Sequence, residues 1–381
     1  MLNSQTGNPA LVEFIRSQMQ REGPQSFAWF MQQALYHPEH GYYSSDRAEI
    51  GRGGDYFTNV SVGPLFGELL AAQFSEAWEL LGRIDNFVIL EQGAHHGEFA
   101  RDVLESLQRR FPEFFSTLRY RIVEPFPRLQ DRQSQILQQF GDHVQWRRSL
   151  DKLEPFVGVH FSNELLDSMP VHLLVATDNG WEEKFVALEG DTFIFVNQPI
   201  VEPALKEFVA NAPRLSPGHE IEISLATRDW IDHVAAKVQR GFVLMFDYGF
   251  SREDFYDPQL QNGTVQVRTR HQRLKSPLED IGNADITSHV NWTSLAEHAE
   301  EHGFQLAGFA DQHHFLTGII SESPSLFEKA DTKAKRALKT LLHPEMLGRS
   351  FQVLGLKKDV DLALRLSGFK FGREPRRSLG L

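Results

Sequence analysis

From residue 87 onward, short apolar runs alternate with segments in which apolar residues recur every three or four positions. Continuous apolar runs predict buried strands, and the longer spacing predicts amphipathic helices. Strands that alternate with helices are typical of a parallel sheet with helices on its faces. The strands that we predict for this α/β fold are 87–90, 120–124, 144–146, 157–161, 242–246, 304–309 and 350–356.

Polar residues directly follow several of these strands. Gly93 and Gly97 follow the first strand, Glu124 ends the second, Asn163 follows the fourth, and Asp247 follows the fifth. In open parallel sheets the carboxyl ends of the strands lie at one edge, and ligands bind there. We therefore expect the functional site at this edge.

The segment 86–100 predicts a buried strand, a tight turn containing Gly93 and Gly97, and a helix. The N–H groups of a first helical turn are unpaired, so this turn suits a small polar ligand, although an ordinary strand-to-helix turn has the same pattern. The glycines match neither the dinucleotide fingerprint G-x-G-x-x-G nor a P-loop. Glu124 lies about one strand–helix–strand unit later, where a carboxylate can accept bonds from ribose hydroxyls. The pattern favours a nucleoside ligand without a phosphate chain.

Asn163, Glu164 and Asp167 form the second informative group. If the turn after the fourth strand opens a short helix, the two acids are three positions apart and share a face. Two carboxylates and an amide could hold a guanidinium by bidentate hydrogen bonds, and a carboxylate could accept a proton from it. The alternative interpretation is helix capping by Ser162 or Asn163, with the acids in the first turn.

Outside the sheet, the pattern predicts a helical N-terminal region and two insertions. Residues 10–40 keep two helical faces, and the glycine-rich segment 50–58 suits either a loop that covers a site or a mobile surface loop. Residues 171–240 are too long for a simple crossover, and we interpret them as an antiparallel addition plus a helix at 230–238. The predicted domains are 1–86 (helical region and lid), 87–358 (core with insertions at 171–240 and 251–283) and 359–381 (C-terminal tail, loose from residue 373).

Composition removes several function classes. A net charge of −12 argues against a general nucleic-acid binder, because phosphate contacts need clustered Lys and Arg. The chain has no cysteine, so disulfides, thiolate catalysis and cysteine-ligated metals are excluded. The start lacks a basic and apolar export signal, and nowhere do about 18 apolar residues run together. We expect a cytoplasmic protein with neither a nucleic-acid nor a membrane partner.

Histidine is the remaining candidate metal ligand. We recognise no H-x-x-x-H or H-E-x-x-H spacing on a convincing helix, so we predict no metal. A Gly-x-Ser-x-Gly nucleophile elbow is also missing from the sequence. The histidines considered are His95, His96, His271, His289, His313 and His314.

Taken together, the short motifs resemble one family, the MidA-like S-adenosylmethionine-dependent methyltransferases, bacterial and mitochondrial relatives of the complex I assembly factor that methylates arginine. Several short motifs in the family's order are more specific than any one alone. The matching segments are Gly41-Tyr-Tyr43, Gly54-Asp55-Tyr-Phe-Thr58, Pro64-Leu-Phe-Gly67-Glu68, Glu91-Gln-Gly93, Asn163-Glu164-Leu-Leu-Asp167-Ser-Met-Pro170-Val, Asp247-Tyr248-Gly249, Asp285-Ile-Thr-Ser-His289-Val and Gly348-Arg-Ser-Phe-Gln-Val-Leu354.

The resemblance implies a class I (Rossmann-like) methyltransferase fold: a seven-stranded, mostly parallel sheet with helices on both faces, a helical N-terminal region and an α+β insertion. It implies S-adenosylmethionine as cofactor and in-line transfer of its methyl group. It also implies a protein substrate, with arginine as the acceptor and a respiratory complex I subunit as a candidate partner.

Site residues follow from the same resemblance. Gly93 and Gly97 would hold the methionine end of the cofactor, Glu124 its ribose, and Asp151 would be a weaker candidate for the adenine side. Glu91 is the first residue of the motif Glu91-Gln-Gly93 and is included among the cofactor-binding residues. The remaining residues divide into those that would face the methyl acceptor, Asn163, Glu164 and Asp167, and those that would line the cleft, Asp55, Thr58, Tyr248 and His289.

One motif departs from the family pattern. The family turn usually reads Glu-x-Gly-Pro-Gly-x-Gly, whereas this chain has Ala94-His95-His96 between Gly93 and Gly97. If the middle position is left-handed, His95 costs on the order of 1–2 kcal/mol, and its ring could project into the cofactor's space. Three hypotheses therefore stand: an active methyltransferase, a catalytically inactive binding or assembly protein with the same fold, and a different nucleoside- or metal-dependent enzyme.

Overall fold

The computed structural model describes residues 7–45, 58–269, 272–324 and 331–381. The chain divides into two compact units that interleave along the sequence. Unit 1 comprises Met1–Phe57, Leu166–Asp229 and Arg252–Val290, and unit 2 comprises Thr58–Leu165, Trp230–Ser251 and Asn291–Leu381. Within the described ranges, no helix is both long and apolar enough to cross a membrane.

The helices of the described residues, in chain order, are α1 (Pro9–Glu22), α2 (Phe27–Tyr36), α3 (Leu65–Leu80), α4 (Glu98–Arg110), α5 (Pro112–Thr117), α6 (Pro127–Leu137), α7 (Pro203–Asn211), α8 (Leu225–Lys237), α9 (Arg252–Phe255), α10 (Trp292–Glu301), α11 (Gln312–Glu322), α12 (Thr332–Leu342) and α13 (Pro375–Leu379). Short 3-10 segments occur at Val60–Val62, Gln138–His143, Leu150–Lys152, Pro258–Leu260 and Ser367–Phe369.

The strands are β1 (Gln25–Ser26), β2 (Phe87–Gln92), β3 (Leu118–Val123), β4 (Val144–Arg147), β5 (Phe156–Asn163), β6 (His172–Thr177), β7 (Gly180–Glu189), β8 (Thr192–Pro199), β9 (Glu220–Ile223), β10 (Val238–Asp247), β11 (Gly249–Phe250), β12 (Gln266–Thr269), β13 (Gln272–Arg273), β14 (Asp285–Thr287), β15 (Val290–Asn291), β16 (Gln305–Asp311) and β17 (Gln352–Lys358).

Unit 2 is built on a seven-stranded sheet in the order β16-β17-β10-β5-β2-β3-β4. The pairs from β10 to β4 are all parallel, whereas β17 is antiparallel to both of its neighbours, so only one strand is reversed. The first five residues of β2 are buried, as are the last seven of β10, which agrees with their continuous apolar runs. The predicted seven-stranded, mostly parallel sheet is confirmed.

Aromatic side chains form the centre of the unit 2 core. Phe99 of α4 stacks on Phe161 of β5 with ring centroids 4.5 Å apart, and Phe161 in turn lies 5.7 Å from Phe246 of β10. Phe66 of α3 meets Phe246 edge-on at 5.4 Å. Such offset and edge-on pairs add about 0.5–1.5 kcal/mol each beyond the area that they bury. This packing fixes the ends of β5 and β10 relative to α3 and α4.

Unit 1 contains a five-stranded antiparallel sheet in the order β1-β7-β6-β9, with β8 paired to β7. Its core combines residues of α1 and α2, such as Leu11 and Phe30, with Leu173 and Val186 of the sheet and Ile286 of β14. A second, three-stranded sheet has the order β13-β12-β14. The antiparallel addition predicted for 171–240 is confirmed, and it folds together with the N-terminal helices.

Two parts of the C-terminal region differ from expectation. Helix α11 was not predicted, and the segment after residue 373 is not loose. It forms α13, whose Leu379 is fully buried and whose carbonyl oxygen accepts a hydrogen bond from Thr293 Oγ1. The expectation of a loose end was wrong because charged and glycine residues surround a single anchoring leucine, and only the packed structure reveals that anchor.

Candidate functional site

The turn between β2 and α4 is a tight strand-to-helix junction with several residues of positive φ. Gly93, His95 and Gly97 all have positive φ, at 78°, 46° and 92°. Gly97 N–H donates to the Ala94 carbonyl at 2.8 Å, and α4 begins at Glu98. The predicted strand, tight turn and helix are confirmed. His95 occupies the left-handed region, which costs a non-glycine residue about 1–2 kcal/mol.

A buried glutamine of α6 holds this turn. Gln133 is fully buried, and its Nε2 donates to the His95 carbonyl at 2.8 Å and to Glu124 Oε2 at 2.9 Å. Its Oε1 accepts a hydrogen bond from Trp146 Nε1 at 2.9 Å. The amide therefore uses both donors and its acceptor inside the protein, and it connects the turn after β2 to the acid after β3.

Glu124 lies directly after β3 and is 5% exposed. Its Oε1 accepts from the Phe126 N–H at 3.0 Å. Burial raises the pKa of Glu124 to about 7, and the hydrogen bonds from Phe126 and Gln133 offset only part of that rise. Each carboxylate oxygen thus has one protein donor, and each retains a further lone pair for a ligand hydroxyl.

Glu91 and Asp151, which we also assigned to cofactor binding, have surroundings that differ from those of Glu124. Glu91 is buried within β2 and accepts a 2.7 Å hydrogen bond from the Tyr120 hydroxyl, and burial raises the pKa of Glu91 to about 8. Asp151 lies in the 3-10 segment Leu150–Lys152 with an exposed side chain, whose Oδ1 is 3.4 Å from His233 Nε2. Both assignments stay predictions.

The residues after β5 form turns instead of the short helix that we considered. Glu164 has φ 54°, which a right-handed helix does not allow, and its N–H donates to the Phe246 carbonyl at 2.9 Å. Helix capping by Ser162 or Asn163 is therefore wrong, and so is a helical face shared by Glu164 and Asp167. The left-handed residue arises because β10 captures the Glu164 N–H at the end of the sheet.

Asn163 and Glu164 are bonded to each other and to the segment before α3. Asn163 Nδ2 donates to Glu164 Oε1 at 2.8 Å, and Asn163 Oδ1 accepts from Asn59 Nδ2 at 2.9 Å. Asn59 is fully buried, and the neighbouring Thr58 is buried with its Oγ1 2.9 Å from Ser61 Oγ. The chain of bonds from Asn59 through Asn163 sets the position of the Glu164 carboxylate.

A buried carboxylate at the end of β10 organises the same region. Asp247 is fully buried, and it accepts the N–H of Leu165 at 3.1 Å and the N–H of Tyr248 at 2.9 Å. The Tyr248 ring lies 4.1 Å from the ring of Phe351. Asp247 therefore ties the end of β10 to the segment after β5.

The two parts of the site in unit 2 are adjacent. A Cβ placed on Gly93 would lie 3.6 Å from Leu165 Cδ1 and 3.8 Å from the Asn163 carbonyl oxygen. The turn after β2 and the segment after β5 thus meet side by side, as expected for neighbouring parallel strands.

Two predicted site residues belong to unit 1. Asp167 is buried, and its carbonyl accepts from the Ser288 N–H at 2.8 Å. The N–H of His289 donates to Thr264 Oγ1 at 3.0 Å, and burial lowers the pKa of the His289 imidazole to about 4. At neutral pH this imidazole is uncharged. Asp55 lies outside the described residues.

Sequence reasoning missed Asn59 and Gln133. A signal for Gln133 was present: it stands four residues after Leu129 and four before Leu137, on what would be the apolar face of α6. A polar residue at such a position needs a buried hydrogen-bond partner. The sequence does not reveal which partner it has.

A family model described as "Putative S-adenosyl-L-methionine-dependent methyltransferase" matches residues 69–310. The chain is 25% identical over 391 residues to the Drosophila melanogaster protein arginine methyltransferase NDUFAF7 homolog, mitochondrial, covering 93% of this chain and 86% of that protein. It is also 25% identical over 418 residues to human protein arginine methyltransferase NDUFAF7, mitochondrial, covering 99% and 89%.

Solved structures agree with these sequence matches. A superfamily member from Burkholderia thailandensis, crystallised with bound S-adenosyl-homocysteine, superimposes with a TM-score of 0.87 at 28% identity and covers 97% of this chain and 96% of its own. A native crystal structure from the same organism gives a TM-score of 0.84 at 27% identity.

The relatives also correct one expectation. We predicted a cytoplasmic protein from the absence of an export signal and of a membrane span. The named relatives from Drosophila and human are mitochondrial proteins, so that prediction is contradicted. The lack of a hydrophobic export signal was too weak a basis, because it bears on secretion only.

Proposed function

The chain belongs to the S-adenosyl-L-methionine-dependent methyltransferase family, and we propose that it transfers the cofactor's methyl group to an arginine side chain of a protein substrate. The arginine acceptor is supported by the named relatives, which are protein arginine methyltransferases. A respiratory complex I subunit is the candidate partner that the motif resemblance suggests. The observation that carries the proposal is the hydrogen-bonded pair Asn163–Glu164 beside the glycine turn, in which Glu164 has a left-handed backbone conformation.

The residues of unit 2 fit a nucleoside cofactor. The turn at 93–97 offers backbone N–H groups at the start of α4, which suit the polar methionine end. The buried Glu124 carboxylate retains acceptor positions that suit a ribose diol. When bound, S-adenosylmethionine supplies an electrophilic methyl group on a positively charged sulfonium.

The acceptor side of the proposal rests on Glu164. Arginine is a poor nucleophile while protonated, so the protein needs a carboxylate that binds the guanidinium and accepts a proton from it. The hydrogen bond from Asn163 Nδ2 orients one oxygen of Glu164, and the bond from the Glu164 N–H to Phe246 fixes its backbone. We assign Glu164 as the proton acceptor and Asn163 as the residue that positions it.

Strain at Glu164 supports this assignment. A non-glycine residue with positive φ costs about 1–3 kcal/mol, and such residues cluster at functional sites because surrounding contacts must hold them there. Here the contacts come from Asn163, Phe246 and the Asp247-anchored Leu165 N–H. This arrangement aligns the Glu164 carboxylate, the proposed proton acceptor, before the reaction. Such alignment lowers the entropic part of the activation barrier.

The experiment is methyl transfer from S-adenosylmethionine with a labelled methyl group to a whole-cell protein extract, followed by acid hydrolysis and amino-acid analysis. We expect label in methylated arginine with the wild-type protein and none with Glu164→Ala. Label in methyl-lysine, or in no protein residue, would contradict the arginine proposal.

The inactive-fold alternative has one specific observation in its favour, the strained His95 in the cofactor turn. Calorimetry with S-adenosyl-homocysteine separates the two hypotheses. Saturable binding by the wild-type protein supports an enzyme, whereas no heat release supports a binding or assembly protein that has lost the cofactor.

A further inference from the structure

Three metal-ligating side chains converge on α8 and α10 within unit 2. Asp232 Oδ1 lies 2.8 Å from His298 Nε2 and 3.0 Å from His302 Nε2. One ligand atom from each of the three residues lies within 4.8 Å of the other two. His298 and His302 are four residues apart on α10 and its C-cap, so they form the H-x-x-x-H spacing that our sequence analysis did not recognise.

His298 lies between two carboxylates. Its Nδ1 is 2.9 Å from Glu301 Oε2, while its Nε2 faces Asp232 at 2.8 Å. A neutral imidazole has a single N–H, so carboxylates at both ring nitrogens require either a second proton or a metal ion in its place. A ring nitrogen that bonds to an outer carboxylate, as Nδ1 does to Glu301, while the other nitrogen faces the remaining ligands is the usual arrangement of a metal-binding histidine.

We propose that Asp232, His298 and His302 bind one divalent transition-metal ion of the Zn²⁺ class. Two imidazoles and a carboxylate are the ligands that Zn²⁺ prefers, whereas Mg²⁺ and Ca²⁺ prefer oxygen alone. Three protein ligands leave the fourth tetrahedral position to water. The ion would cross-link α8 and α10 and so stabilise unit 2.

The site needs little rearrangement and is open to solvent. Ligand atoms around a tetrahedral Zn²⁺ at its usual bond lengths are separated by roughly 3.3 Å, a few tenths of an ångström more than the two distances from Asp232 Oδ1 to the histidine nitrogens, and all three ligand atoms lie within 4.8 Å of one another. The Asp232 and His302 side chains are 41% and 37% exposed, so an ion can enter, while His298 is 12% exposed and packed in place.

A second group, His95, His96 and Glu98, also brings three ligand atoms together. It belongs to the turn already described, and Arg132 Nη1 lies 2.8 Å from His96 Nε2. A guanidinium at that distance repels a metal cation. This group is therefore the competitor that the experiment has to exclude.

The test is calorimetric titration of ZnCl₂ into the full-length protein after treatment with EDTA. We expect one ion per chain, with affinity reduced at least about tenfold in His302→Gln and in Asp232→Asn. His314→Gln is the matched control, because it removes an imidazole that bonds to a single carboxylate, Asp311. His96→Gln tests the competing group. We expect His314→Gln and His96→Gln to bind Zn²⁺ with the affinity of the wild type.

A stability measurement separates loss of the site from loss of the fold. Zn²⁺ should raise the melting temperature of the wild type and of His314→Gln, but not that of His302→Gln, whose position is exposed enough to tolerate the change. Equal Zn²⁺ binding by His302→Gln and wild type would overturn the proposal. The proposal would also be overturned if the wild type formed no one-to-one complex with Zn²⁺. The same holds if His96→Gln were the only variant to lose that complex.

Discussion

The turn after β2 contains two glycines and is held by a neutral amide, whereas the segment after β5 contains no glycine and is held by a carboxylate. In the turn after β2, Gln133 donates a hydrogen bond to the His95 carbonyl. In the segment after β5, the Leu165 N–H donates to Asp247. The first arrangement leaves N–H groups of α4 for a ligand. In the segment after β5, backbone N–H groups form hydrogen bonds within the protein, and the group that we propose for a ligand is the Glu164 side chain.

Under the proposed function, the two neighbouring strand ends have different roles. A cofactor with a polar methionine end and a ribose suits backbone donors and a buried acid, so the turn after β2 is suited to binding. A reacting guanidinium requires a proton acceptor, so the segment after β5 is suited to chemistry. Substitutions on the two sides should therefore have separable effects on binding and on turnover.

The largest effect is expected for Glu164→Ala. If Glu164 is the proton acceptor that we propose, its loss should reduce kcat by about 10²–10⁴, the usual contribution of a general base, while the dissociation constant of S-adenosyl-homocysteine stays within about twofold. Steady-state methyl transfer and calorimetry measure the two quantities. Glu207→Ala, on the exposed face of α7, is the surface control. A variant that binds cofactor poorly but turns over normally would reverse the assignment.

A smaller effect, on binding, is expected for Glu124→Ala. Removing an acceptor of ribose hydroxyls should weaken S-adenosyl-homocysteine binding by roughly 10–100-fold, which corresponds to about 1.4–2.8 kcal/mol. Calorimetry measures this directly, and kcat at saturating cofactor should change much less. If Glu124→Ala binds as tightly as the wild type, the ribose lies elsewhere.

The pH dependence of binding should follow the same carboxylate. Because the pKa of Glu124 is about 7 in the protein, its ionised fraction rises from roughly a tenth at pH 6 to about nine tenths at pH 8. The ionised form is the better acceptor for ligand hydroxyls, so affinity for S-adenosyl-homocysteine should increase up to about tenfold over this interval. Calorimetry at several pH values should show this rise in the wild type and a flat profile in Glu124→Gln.

The smallest effect is expected for His95→Gly. Glycine removes about 1–2 kcal/mol of left-handed strain but adds about 0.5–1 kcal/mol of unfolded-state entropy, so the free energy of unfolding should rise by no more than about 1.5 kcal/mol. Gln133 bonds to the carbonyl of residue 95, which glycine retains, so binding should change less than about threefold. Thermal unfolding and calorimetry measure these values. A gain above tenfold in affinity would place the imidazole in the ligand's space.

The regular elements of unit 2 were largely predictable. Its strands β2 and β10 contain continuous apolar runs, and the strand, turn and helix at 86–100 follow from spacing and two glycines. The motif order was sufficient to predict the methyltransferase family. Each of these features is local or a sum of local features, which is why a single sequence contains them.

Only the tertiary structure decided which residues distant in sequence pair with each other. Gln133 with the His95 carbonyl, Asn59 with Asn163, and Asp232 with His298 and His302 join segments that have no sequence signal for each other. The left-handed Glu164 likewise depends on β10, whose Phe246 carbonyl captures its N–H. Periodicity reports which side of an element is buried, but the partner across the core is chosen by packing of the whole chain, so these contacts appear only once the fold is complete.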